Sequence, residues 1–247
     1  MDKFKKAFEN KANIGYIVAG YPSLEYSKNF INALDDSALD LLEIGIPYSD
    51  PLADGPVIAK AAFDACQNGV STDSVFEMLK ECKTSKCLVF LVYYNMIFAY
   101  GEDEFLLKCQ ECGISGLIVP DLPYEENKSL KNKCDKIGIA LIALISVTSG
   151  HRAKKILKNT SGFVYMVSVL GVTGGEQSSQ NSLRNLCSHI RKYSDLPIAV
   201  GFGLKNNADV KATKCYADGA IIGTQIVKAS KDKSVSELNA FISELFA

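Results

Sequence analysis

The sequence predicts an α/β protein whose eight parallel strands close into a (β/α)8 or TIM barrel. Three observations predict it: eight short apolar runs, helical spacing in the intervals between them, and a length of 247 residues, close to the ~250 typical of that architecture. The apolar runs fall at 14–19, 39–44, 87–93, 114–119, 139–146, 163–169, 197–201 and 219–223. Each has the length and patterning of a strand buried on one or both faces. Their starts are 25, 48, 27, 25, 24, 34 and 22 residues apart, and a parallel crossover of that length needs a helix in each gap. The interval of 48 has room for two helices, so an extra helix is expected between strands 2 and 3.

Helical spacing is visible in Leu24, Phe30, Ile31 and Leu34, and in the last helix through Leu238, Phe241, Ile242 and Leu245. Ser234-x-x-Glu237 in front of that last helix reads as a capping box. The N-terminus, MDKFKKAFENK, has Phe4 and Phe8 four residues apart and no apolar core of its own, which predicts an extra amphipathic helix rather than a signal peptide. No shift in composition marks a boundary, so residues 1–247 are expected to form a single barrel domain. The alternative, an open doubly wound sheet, lacks its dinucleotide fingerprint: Gly15 and Gly20 stand five apart with no third glycine in place.

Apolar residues make up 47% of the chain and charged residues 22%, a composition that supports a core and argues against disorder. With 27 basic against 28 acidic residues the net charge is -1, which supplies no field for nucleic acid or an anionic membrane. The longest apolar stretches fall well short of the ~18 residues that span a bilayer. A cytoplasmic protein is expected. Eight cysteines spread through such a chain point to reduced thiols rather than a disulfide framework. Cys109-x-x-Cys112 could be half of a zinc site, but Phe105, Leu106, Cys109 and Cys112 form an apolar stripe, and packing is the reading preferred. No metal is expected.

In a barrel of this kind the chemistry sits at the C-terminal ends of the strands. Glu43 ends one apolar strand, where branched neighbours would strip its hydration and raise its pKa toward the range useful for proton exchange. A rim ion pair with a lysine is the alternative. The segment SDPLADGP at 49–56 is a shaped loop. Asp54 in it is either catalytic or the cap of the helix that follows, and Asp50 is a turn former or a surface contact. Three glycine turns, Gly171 to Gly175, Gly201 to Gly203 and Gly223-Thr224, follow strands six, seven and eight. Glycines let backbone amides approach an anion, so one phosphate is expected there. Tyr16, Tyr93, Tyr165 and Phe202 lie at strand ends, where they would accept a flat apolar substrate or merely fill the barrel.

The stretch EIGIPYSDPLADGP at 43–56 resembles the signature of the tryptophan synthase alpha subunit family. AGYP at 19–22, YYN at 93–95, VPDLP at 119–123, SVLGVTG at 168–174 and GFG at 201–203 agree with it in order and spacing. The resemblance implies a lyase that cleaves indole-3-glycerol phosphate to indole and glyceraldehyde 3-phosphate, with no cofactor of its own. It implies Glu43 and Asp54 as the catalytic pair. Gly174, Gly203, Gly223 and Thr224 would hold the phosphate, Tyr165 would lie beside Glu43, and Thr173 would help close the loop over the site. Tyr16, Leu91, Ile118, Phe202 and Ile221 would line the indole pocket.

The resemblance further implies a pyridoxal-phosphate (PLP) beta subunit as partner in an alpha2-beta2 heterotetramer, with the PLP in that partner and with Asp50 and the 47–56 and 171–180 loops sensing it. Two positions depart from the family pattern: Gly15 where members often have Pro, and Thr224 where they often have Ser. The alternatives are a phosphosugar isomerase of the same barrel type, or a weakly active subunit that mainly activates its beta partner.

Overall fold

The computed structural model describes residues 2–168, 180–201 and 203–247. Eight parallel strands form a closed barrel in sequence order: β1 Ala12–Val18, β2 Leu41–Gly45, β3 Cys87–Leu91, β4 Gly116–Ile118, β5 Ala140–Ser146, β6 Val164–Val167, β7 Ile198–Gly201 and β8 Gly219–Ile222. Closure is made by β1 against β8, with Ala12 opposite Gly219 and Ile14 opposite Ile221. Around them run α1 Asp2–Ala7, α2 Leu24–Asn32, α3 Pro56–Gln67, α4 Thr72–Lys80, α5 Tyr94–Tyr100, α6 Glu102–Glu111, α7 Lys128–Ile137, α8 Ala153–Lys158, α9 Gln180–Ile190, α10 Asn207–Lys214, α11 Thr224–Ser230 and α12 Val235–Phe246.

The N-terminal helix and the two helices between β2 and β3 are where the sequence puts them. The interval between β3 and β4 differs from expectation, holding both α5 and α6 instead of one helix. Gly101, at φ +93°, turns the chain directly from one into the other. That positive φ is open to glycine at little cost, and it lets two helices join without a loop. Helix starts follow local chemistry. Ser234 and Glu237 make the reciprocal capping box at α12, and Ser71 and Ser74 make another at α4.

Alternation along each strand separates two cores. Outward residues such as Ile17, Leu42, Ile44, Leu88 and Phe90 pack under the helices. Inward residues, among them Ile14, Tyr16, Leu41, Val89, Ile118, Ile142, Tyr165 and Ile221, fill the barrel. The floor of the interior is sealed by α1 and the turn after it: the Phe4 and Phe8 rings lie 6.1 and 5.4 Å from Phe163. Small inward residues admit that plug, since a Cβ on Gly116 would come within 3.0 Å of the Phe4 ring.

At the mouth the same device admits two phenols. A Cβ on Gly45 would fall 2.1 Å from the Tyr16 hydroxyl, and one on Gly201 would fall 2.3 Å from that of Tyr165. All eight cysteines are free thiols. Cys109 is wholly buried beside Phe105 and Leu106, and Cys112 is partly buried against the same core. Burial raises the pKa of seven thiols: Cys66, Cys82, Cys87, Cys109, Cys112, Cys134 and Cys187. The eighth, Cys215, is exposed at the end of α10.

The Gly45 contact is directly testable. Gly45→Ala should destabilise the protein by about 1–3 kcal/mol through overpacking. Adding Tyr16→Phe, which removes the nearest atom, should recover part of that loss in urea unfolding. Additive effects of the two substitutions would refute the contact.

Candidate active site

Glu43 occupies β2 with Tyr16 of β1 and Val89 of β3 as its register neighbours. These three inward positions place its carboxyl inside the barrel, where the residue is only 1% exposed. The expected alternative of a rim ion pair is not what the chain builds. Glu43 Oε1 is buried with no hydrogen-bond partner among the described residues. Loss of hydration pushes its pKa well above the ordinary carboxylate value.

Asp54 closes the loop between β2 and α3. The cap of α3 is Gly55, which makes no side-chain capping bond, so the helix-cap reading of Asp54 gives way to another arrangement. Its Oδ2 accepts a hydrogen bond of 3.0 Å from the Tyr93 hydroxyl, which in turn accepts one of 2.9 Å from the Ala53 amide. Burial lifts the Asp54 pKa to about 6, and the Tyr93 hydrogen bond acts against that rise. Two carboxyl groups therefore face one cavity, and burial raises the pKa of both.

Tyr93 ties several loops together. Its ring packs 5.3 Å from Tyr48, whose hydroxyl accepts from Asn95 Nδ2 at 3.1 Å. The next amide, Tyr94 N, donates to Asp121 Oδ1 at 2.8 Å, so the YYN and VPDLP segments brace one another. The sequence marks Tyr93 only as an aromatic residue at a strand end. Its bond to Asp54 spans 39 residues, and no local pattern announces it.

A cavity of about 430 Å³ counting its opening lies at the mouth. Glu43, Asp54, Tyr16, Leu91, Tyr165 and Ile221 line it, and Gly203, Gly223 and Thr224 form its rim. Tyr16 and Tyr165 are wholly buried phenols whose raised pKa values come first from burial, with the nearby carboxyl groups adding to it. They remain neutral.

Ile58 and Leu204 also line the cavity and were missed, because they lie in a helix and a loop rather than at strand ends. Ile118 is buried in the barrel interior and is not among the lining residues. Asp50 is exposed on the 47–56 loop, accepting from Ser49 Oγ at 2.6 Å. Thr173, Gly174, Phe202 and the 171–179 part of the second loop lie outside the described residues. No helix among the described residues is long and apolar enough to cross a membrane.

Residues 3–245 match the family described as Tryptophan synthase alpha chain. The chain belongs to that family. It is 46% identical over 247 residues to the tryptophan synthase alpha chain of Campylobacter jejuni subsp. doylei, covering 100% of this chain and 99% of that one. Against the alpha chain of Alkaliphilus metalliredigens it is 41% identical, covering 98% and 93%. A solved structure of tryptophan synthase subunit alpha from Campylobacter jejuni superposes with a TM-score of 0.91 at 45% identity, covering 98% of both chains. A structure of Mycobacterium tuberculosis tryptophan synthase gives 0.90 at 32% identity, covering 99% and 95%. The lyase reaction of the tryptophan synthase alpha family, cleavage of indole-3-glycerol phosphate in tryptophan biosynthesis, is the reaction of this chain.

The raised Asp54 pKa has a consequence for stability. A carboxyl group that holds its proton more tightly when folded leaves the native chain with more bound protons than the unfolded chain. For Asp54 this holds between about pH 4 and 6, so stability falls as pH rises through that window. Asp54→Asn abolishes this cost. The variant should match the wild type near pH 4 and exceed it by about 2 kcal/mol at pH 8 in urea unfolding. An equal difference at both pH values would refute the assignment.

Proposed function

We propose that Glu43 and Asp54 divide the work of the retro-aldol cleavage. Burial favours the protonated form of Glu43, and its proton passes to the indole carbon that bears the glycerol side chain. Asp54, ionised above about pH 6, accepts a hydrogen bond from the ring N–H and balances the positive charge that develops on the ring. The carbon–carbon bond then breaks and its electron pair returns to the indole. The hydroxyl on the departing carbon becomes the carbonyl of glyceraldehyde 3-phosphate, and its proton returns to the Glu43 carboxylate. One carboxyl thus acts first as acid and then as base, and the chain ends the cycle in its starting protonation state.

The observation that carries this reading is the pairing in one cavity of a fully buried carboxyl with a less buried, hydrogen-bonded one. Tyr165 and Tyr16 border the pair, while Leu91, Ile58 and Ile221 give the indole an apolar wall. The amides at Gly203, Gly223 and Thr224, together with Gly174, take the phosphate, and roles in substrate binding are assigned to Thr173 and Phe202 by the family resemblance alone. Thr224 keeps the backbone contact that a Ser would make at that position. Ile118 supports the pocket from below.

The partner is the tryptophan synthase beta subunit, in an alpha2-beta2 assembly in the cytoplasm. The chain needs no cofactor of its own, and PLP belongs to the beta subunit. Residues 1–247 act as one domain. The exposed Asp50 and its neighbour Leu52, 77% exposed, present the 47–56 loop to that partner.

Glu43→Gln retains the shape of the side chain but has no acidic proton. In the complex with the beta subunit it should lower indole formation by about 10²-fold or more. In the wild type, kcat/KM should rise through about pH 6 as Asp54 ionises, and Asp54→Asn should erase that limb. Full activity in Glu43→Gln would end the proposed proton transfer.

A further inference from the structure

Among the described residues, the reaction cavity is lined by two carboxyl groups and by no cationic side chain. A phosphate monoester carries up to two negative charges, and the cavity that would receive it also holds the carboxyl of Asp54, so a nearby cation would stabilise the bound dianion. Backbone amides offer only partial charges. The three arginines are engaged elsewhere: Arg152 pairs with Glu125, Arg191 pairs with Asp218, and Arg184 lies over the Tyr216 ring.

A second cavity, of about 660 Å³ counting its opening, adjoins the first along Gly203, Leu204 and Thr224, which line both. Its remaining walls include Lys205 and Lys228, and no carboxylate lines it among the described residues. Both lysines are exposed, and neither has a carboxylate within salt-bridge distance among the described residues. The acid nearest to Lys205 along the chain, Asp209, accepts from its backbone amide at 2.8 Å. Gly55, Pro56 and Val57, the start of the twelve-residue helix α3, border the same space. That helix has no acidic residue in its first turn, so its N-terminal turn adds no negative side chain to the cavity.

We propose that Lys205 and Lys228 supply the positive charge for the substrate phosphate, which sits where the two cavities meet at Gly203 and Thr224. The proposal rests on the reaction described above and adds to the glycine amides a pair of charge-bearing binding residues. Lysine suits this position. Its flexible stem and compact charge act on a dianion without the fixed fork that arginine imposes. Two uncompensated cations at the mouth of an otherwise nearly neutral chain also draw the anionic substrate toward the opening.

The test uses the full chain with its beta subunit, comparing wild type with Lys205→Gln, Lys228→Gln and the double variant. The double variant should raise KM for indole-3-glycerol phosphate about tenfold, equivalent to about 1.4 kcal/mol, with a much smaller change in kcat. The dependence of kcat/KM on salt should flatten in parallel. Lys228→Arg, which retains the charge, should recover most of the affinity lost in Lys228→Gln. A loss of the same size on indole-3-glycerol, which has no phosphate, would overturn the proposal in favour of a structural role.

Calorimetric binding of inorganic phosphate needs no turnover and should also weaken about tenfold in the double variant. Unchanged phosphate affinity overturns the proposal whether or not the chain cleaves the substrate. An inactive wild type whose phosphate affinity still depends on the two lysines would overturn the reaction assignment and leave the anion site standing.

Discussion

A carboxyl group held in the dry interior of a closed cylinder of strands sets the conditions for the rest of the site. Glu43 is placed there by strand alternation, which gives it the same inward face as Leu41 and Gly45. The unfavourable burial of that group is tolerated because it can remain protonated. Closure through β1 and β8 removes the sheet edge by which water would reach it. Glycines one layer above, at 45 and 201, leave the space in which Tyr16 and Tyr165 stand. Those two rings form a neutral aromatic wall around the acid. Asp54, outside this layer on a loop, keeps enough solvent and hydrogen bonding to ionise at ordinary pH.

Much of this was legible in the chain. Eight apolar runs at crossover spacing gave the barrel, because parallel strands buried on both faces must be almost continuously apolar. Glu43 stood out because it breaks such a run. The second helix between β3 and β4 was hidden because Gly101 joins α5 to α6 without the polar loop that ordinarily separates two helices. Asp54 was ambiguous since an aspartate before Gly-Pro has the chemistry of a cap; only the fold shows that its oxygen meets Tyr93 instead. Ile58 reaches the cavity from the first turn of α3 and Leu204 from the loop after β7, and strand-end reasoning has no access to either.

The loops at the mouth are linked mechanically. Asp54 is held by Tyr93, Tyr93 stacks on Tyr48, and the following residue Tyr94 is fixed by Asp121 from the loop after β4. Asp54 is therefore fastened to the loops after two neighbouring strands. Leu52 and Phe98, 77% and 69% exposed, project from the same region. Apolar side chains displayed beside a braced carboxylate give a partner surface a short physical route to the site. Coupling along it requires two arrangements of the brace with different contacts to the partner.

The distribution of thiols has a practical consequence. The thiolate is the reactive form of cysteine, and burial suppresses it. Four of the eight cysteines, Cys87, Cys109, Cys134 and Cys187, are buried and three are partly buried, whereas Cys215 stands in solvent on the outer ring of helices. Its position after α10, next to the chain segment that enters β8 from below, sets it at the end of the barrel away from the mouth. Cys215, the most exposed thiol, thus offers a handle for a fluorophore or a surface tether, located where an attached group leaves the opening clear.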